Sequence, residues 1–143
     1  MANHNKDPLD QLVMKAEEVE GEYRKLLADL LKPHVRIDPD TGKIYFVPHP
    51  PRLNTKQHVL VYLLAKLALA QKNDKLEPVA SASDVENATG LPGGTVRPKL
   101  TQLFRERVIS KSEAGYFVEA ANLHKARSIL EDTLPEKDGE TAS

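Results

Sequence analysis

The chain has 143 residues, with 20 Lys and Arg against 21 Asp and Glu and no Cys. That length suits one compact domain with an accessory segment. The missing Cys excludes disulfides, thiolate metal sites and Cys nucleophiles together, and the near-zero net charge excludes a uniformly basic polyanion binder.

Residues 1–10 are polar, so no secretory leader is expected. The longest nearly uncharged run, residues 58–71, contains Lys66 and is too short to cross a bilayer. With the absence of Cys, these features predict a cytoplasmic protein with no membrane partner.

Leu9, Leu12, Ala16, Val19, Tyr23, Leu26 and Leu30 recur at alternating spacings of three and four, the pattern of a helix with one apolar seam. Asp7 is the expected N-cap, Pro8 the first helical residue, and Pro33 the stop. Such a seam needs a partner surface, either the body of the chain or the same helix of a second copy. Leu9, Leu12, Val19, Tyr23, Leu26 and Leu30 are the residues expected at a homodimer contact. Two β-rich runs, His34-Val35-Arg36-Ile37 and Lys43-Ile44-Tyr45-Phe46-Val47, then flank Asp38-Pro39-Asp40-Thr41-Gly42, which predicts a hairpin. Pro48-His49-Pro50-Pro51 can continue neither element and reads as a stiff linker.

Asn54 or Thr55 caps the next predicted helix, which runs to about Lys72 and is apolar over most of its surface, as a central helix would be. Ser81 and Asp84 form a capping box for a short helix with Val85 and Ala88 facing in, ended by Gly90. After the turn Leu91-Pro92-Gly93-Gly94, a third helix is expected over 95–107, burying Val96, Leu100, Leu103 and Phe104. Strands at 108–111 and 116–118 make a second hairpin closed by Ser112-Glu113-Ala114-Gly115. A final helix is expected over 121–130. The sequence thus divides into an arm and Pro-rich linker over 1–53, a main domain over 54–131, and an acidic, disordered tail over 132–143. The main domain holds 11 basic and eight acidic residues.

The run Ser81 to Arg97, followed by Leu100, Leu103, Val108 and Ile109, resembles the winged helix-turn-helix superfamily. The expected fold class is therefore mainly α with small β-hairpins, a winged helix-turn-helix domain preceded by an N-terminal helix and hairpin. The resemblance implies sequence-specific binding of duplex DNA, with the third helix in the major groove, the second hairpin as the wing, and a role in transcription regulation. Gly94, Thr95, Arg97, Lys99, Thr101 and Gln102 are the expected contacts on the helix, and Lys111 and Ser112 those on the wing. Arg and Lys suit guanine edges or phosphates, and Gln suits adenine. Gly93 and Gly94 would let phosphate approach the positive end of the helix. Pro98 falls in the first turn if that helix starts at Thr95, and in its interior if it starts at Pro92.

Other chemistry finds little support. His4, His34, His49, His58 and His124 show no metal-ligand spacing. The Asp38 to Gly42 stretch lacks the third acidic ligand and closing Glu of a calcium loop. Gly90-Leu91-Pro92-Gly93 matches a G-x-x-G loop for RNA but carries no basic residue. No polar cluster has catalytic spacing, so no enzyme activity, cofactor or small-molecule ligand is expected. The competing expectation is a protein–protein adaptor that uses the N-terminal helix and first hairpin.

Overall fold

Asn54 fixes the start of the helix around which everything else packs. Its side-chain oxygen accepts the Gln57 N–H at 2.8 Å, while Gln57 Oε1 accepts the Asn54 N–H at 2.9 Å. This reciprocal cap satisfies two donors that a helix start otherwise leaves open. The structure is a computed structural model that describes residues 7–48 and 51–132. The expected disordered tail from residue 133 onward and His49 and Pro50 of the linker lie outside these described residues.

The described chain is mainly helical with two small antiparallel hairpins. In order it forms α1 (Ala16–Leu31), β1 (Val35–Asp38), β2 (Lys43–Phe46), α2 (Thr55–Lys72), α3 (Ala82–Thr89), α4 (Gly93–Arg105), β3 (Ser110–Ser112), β4 (Gly115–Phe117) and α5 (Leu123–Glu131). Short 3-10 turns precede α1 at Pro8–Leu12 and α5 at Ala120–Asn122. Helix α2 is buried almost all round because β1, β4 and the other four helices pack against it. Val59, Leu60, Leu63 and Leu64 are completely excluded from solvent, each contributing about 1.5–3 kcal/mol by burial. The core continues without a break into Leu27, Leu30, Leu31 and Val35 of the arm. Gln57 also donates from Nε2 to the carbonyls of Ile129 and Asp132 at 2.9 and 2.8 Å, closing the end of α5.

The N-terminal helix is shorter than its seam predicts. Asp7 caps only the 3-10 turn, accepting the Leu9 N–H at 2.9 Å. The helix proper starts afresh at Ala16, where Glu18 Oε1 accepts the Lys15 N–H at 2.9 Å. Leu9 and Leu12 therefore lie off α1 and are 63% and 77% exposed. Leu30 belongs to the chain's own core, while Val19, Tyr23 and Leu26 are half-buried. The expected seam does not exist as one stripe, because a spacing of three and four makes a helix only where another surface covers it.

Both expected hairpins form, the second with strands at Ser110–Ser112 and Gly115–Phe117 in place of 108–111 and 116–118, so that Ser112 and Gly115 pair instead of lying in the turn. In the first, Val35 pairs with Phe46 and Ile37 with Ile44 on the inward face, and Gly42 takes the left-handed conformation (φ +77°) that closes the turn. Ser81 and Asp84 cap α3 reciprocally at 3.1 and 3.0 Å, and Gly90 ends it at φ +73°. Ala88, expected to face in, is exposed, and only Val85 anchors α3 by full burial. Among the described residues no helix is long and apolar enough to cross a membrane.

Candidate nucleic-acid interface

The turn Gly90–Pro92 brings α4 across α3, and α4 is held to the core by Val96, Leu100 and Leu103, none of which touches solvent. The helix starts at Gly93 with Pro92 as its N-cap, two residues earlier than expected. Pro98 consequently lies inside the helix and gives no N–H to the Gly94 carbonyl one turn back. The other side presents Gly94, Arg97, Pro98, Thr101, Gln102 and Arg105, all exposed. Thr95 is half-buried.

Lys99 is the correction that matters most. It was expected to face outward, yet it is 8% exposed. Three residues after Val96 and four before Leu103, it falls on the inner stripe of α4, a spacing already present in the sequence. Phe104 departs the other way: expected in the core, it is 45% exposed at the edge of the same face.

Neighbouring carboxylates already engage two of the outward side chains. Arg97 Nε lies 3.3 Å from Glu86 Oε2, and Arg97 is the more exposed partner. The same Glu86 carboxylate sits against Gly93, where an added Cβ would crowd it. It therefore occupies the positive end of α4 that was expected to meet phosphate. Gly94, one residue on, has open space around its Cα. Gln102 Nε2 donates to Glu106 Oε2 at 3.2 Å, and Glu106 Oε1 pairs with Lys56 at 2.7 Å. That leaves Arg105 and Thr101 as the least encumbered side chains on the face.

The second hairpin follows directly. Ser110, Lys111 and Ser112 pair with Phe117, Tyr116 and Gly115. Lys111 and Ser112 are exposed, and the Lys111 ammonium stands 5.5 Å from the centre of the Tyr116 ring. Ala80 adds a one-residue third strand: Ala80 N–H donates to Tyr116 O at 2.9 Å and Tyr116 N–H to Ala80 O at 2.8 Å. This bridge ties the hairpin to the segment just before α3. Sequence reading missed it, since a single paired residue has no periodicity.

Between the end of α4, β3 and α5 lies a cleft of about 620 Å³, walled by Phe104, Arg105, Arg107, Lys111 and Lys125, with Glu119 as its acid. Glu119 accepts the Ser110 hydroxyl at 2.7 Å. Arg107 takes a left-handed conformation (φ +62°), which favours glycine, so an arginine stands here against a local conformational cost. Among the described residues no group of His, Cys, Asp or Glu could hold a metal ion. No protein-family model matches the chain, and no curated protein or solved structure matches it.

Proposed function

We propose that this protein binds duplex DNA in the manner of a winged helix-turn-helix domain, with α4 as the helix that enters the major groove and β3–β4 as the wing. The observation that carries the reading is the order helix, bridging residue, helix, tight turn, helix, hairpin, with Ala80 pairing back to Tyr116. One side of α4 is exposed, and so are Lys111 and Ser112 of the hairpin. Arg97, Arg105, Arg107 and Lys111 are all exposed, the last three around one cleft, and the charge of Glu106 is offset by Lys56. Arg97 and Arg105 would supply phosphate or guanine contacts, and Thr101 and Gln102 base-edge contacts. Binding would release Arg97 from Glu86, so that pair lowers affinity without blocking it. Transcription regulation is the role proposed for such binding.

The test is fluorescence anisotropy with a labelled random-sequence duplex over a salt series, comparing the wild type with Arg97→Ala/Arg105→Ala. The wild type should bind more weakly as salt rises, and the variant should lower the log–log slope by up to about 2. Absence of binding at low salt, or an unchanged slope in the variant, would reject this reading. An adaptor is the second reading, favoured by the exposure of Leu9, Leu12, Val13 and Met14 on six consecutive residues of the arm. An apolar contact there would hold its strength as salt rises.

A further inference from the structure

A second concave surface lies where α1, β1 and the end of α2 meet, and it shares no residue with the α4 face. Its volume is about 520 Å³, within the usual range of small-molecule sites. Leu27, Leu31, Val35, Ile37 and Ala68 make its apolar wall. Arg24, Lys32, Arg36 and Lys72 stand around it, and among the described residues no Asp or Glu lines it. That composition is uneven for a chain whose acids slightly outnumber its bases.

The four cations are also free of carboxylate partners among the described residues. Arg24 donates from NH1 to the side-chain and backbone oxygens of Gln71 at 3.1 and 3.4 Å. Arg36 NH1 donates to the carbonyls of Lys32 and Val35 at 2.7 and 2.8 Å. These bonds hold two guanidinium groups at the rim while leaving their charge uncompensated. The groove that adjoins it along α1, sharing Arg24, Leu27 and Gln71, lacks this polarity, since Glu20 lines it. An apolar wall alone would fit any greasy surface. An apolar wall ringed by four unmatched positive charges selects a ligand that is itself split, with a hydrocarbon body and an anionic head.

We propose that this groove binds a small amphipathic anion, an apolar molecule carrying a carboxylate. Its body lies against Leu27, Leu31, Val35 and Ala68, and its charge lies among Lys32, Lys72 and Arg24. The site is independent of the DNA reading: it stands or falls without α4. Because α1 and β1 share the core with α2, an occupant there touches the helix against which α4 also packs.

Isothermal titration calorimetry with decanoate tests the proposal, with 1-decanol as the uncharged probe of equal chain length. Decanoate should bind the wild type roughly tenfold more tightly than decanol, the size expected of one or two charge-assisted contacts. Lys32→Ala/Lys72→Ala removes two ammonium groups for which no hydrogen bond or ion pair is seen among the described residues. It should cancel that preference while leaving decanol binding unchanged. Ala68→Trp should fill the groove and abolish binding of both probes, with circular dichroism confirming that each variant folds. Equal affinity for decanoate and decanol in the wild type would overturn the proposal. So would undiminished decanoate binding in either folded variant.

Discussion

The two hairpins of this chain are built from the same topology and held in place by different physics. The first, β1–β2, has four residue pairs and is fastened by side chains: Val35 is 4% exposed, and Ile37, Ile44 and Phe46 lie partly buried against the core. The second, β3–β4, has only three pairs and polar β3 residues. Its attachment is a backbone ladder to Ala80, flanked by buried Val108, Ile109 and Val118. A hairpin fastened by side chains weakens in proportion to the volume removed. One fastened by main-chain approach fails when anything is added between the chains. The stability cost of substitution should therefore be set by deletion in the first and by insertion in the second.

The largest effect should come from the second hairpin. Gly115 has φ +144°, and a Cβ there would overlap the Ala80 carbonyl and crowd the Ser81 nitrogen. These are backbone atoms, so no side chain can swing aside. Gly115→Ala should cost about 3 kcal/mol in urea unfolding, from backbone strain and loss of the bridge. Gly94→Ala, with nothing within 4 Å, should change stability by less than about 1 kcal/mol and serves as the control. The first hairpin should respond next: Val35→Ala, removing a buried branch, should cost about 2 kcal/mol. If Gly115→Ala proved milder than Val35→Ala, the contrast between the two attachments would be wrong.

The same contrast explains what could be read from sequence. Elements fixed by local chemistry were legible. Asn54, expected as a cap with Thr55 as its alternative, Ser81 and Asp84, Gly90 and Gly42 mark ends and turns because their partners lie within a few residues. The first hairpin was legible for the same reason, from its Asp38-Pro39-Asp40-Thr41-Gly42 turn. Elements decided by distant surfaces were not. Nothing in Leu9 or Leu12 says that no surface covers them, and nothing in Ala80 announces Tyr116 as its partner. Glu86 gave no sign that it would stand at the start of α4. Lys99 is a different case, because its spacing from Val96 and Leu103 put it on the buried stripe. There the chemistry of lysine outweighed the geometry of the helix. Of the outward face, Gly94, Arg97, Thr101 and Gln102 were identified from sequence, while the exposure of Phe104 and the cleft beside it emerge only from packing.

The smallest expected effect again separates the two hairpins, this time through pH. His34 leads into β1, with its carbonyl accepting the Val47 N–H at 2.9 Å. His58 packs edge-on to Phe46 of β2, the ring centres 5.1 Å apart. Burial lowers the pKa of both from the ordinary 6.5, and His34 Nδ1 is buried without a hydrogen-bond partner among the described residues. A histidine charges less readily in the folded chain than in the unfolded one, so between the two pKa values the unfolded chain binds more protons. The stability this provides is complete above 6.5 and is lost as pH falls through the lower folded values. The 93–118 segment, which contains the second hairpin, holds no histidine. Tyr62, whose pKa is raised by burial and then by Asp84, acts only at alkaline pH. Wild type should therefore unfold at lower urea at pH 5 than at pH 7.5, and His34→Gln/His58→Phe should narrow that gap. In hydrogen exchange, protection lost on acidification through local opening should concentrate in β1–β2 ahead of β3–β4. An undiminished gap in the double variant would remove the buried imidazoles as its cause, and equal local loss in both hairpins would show that their attachments open together.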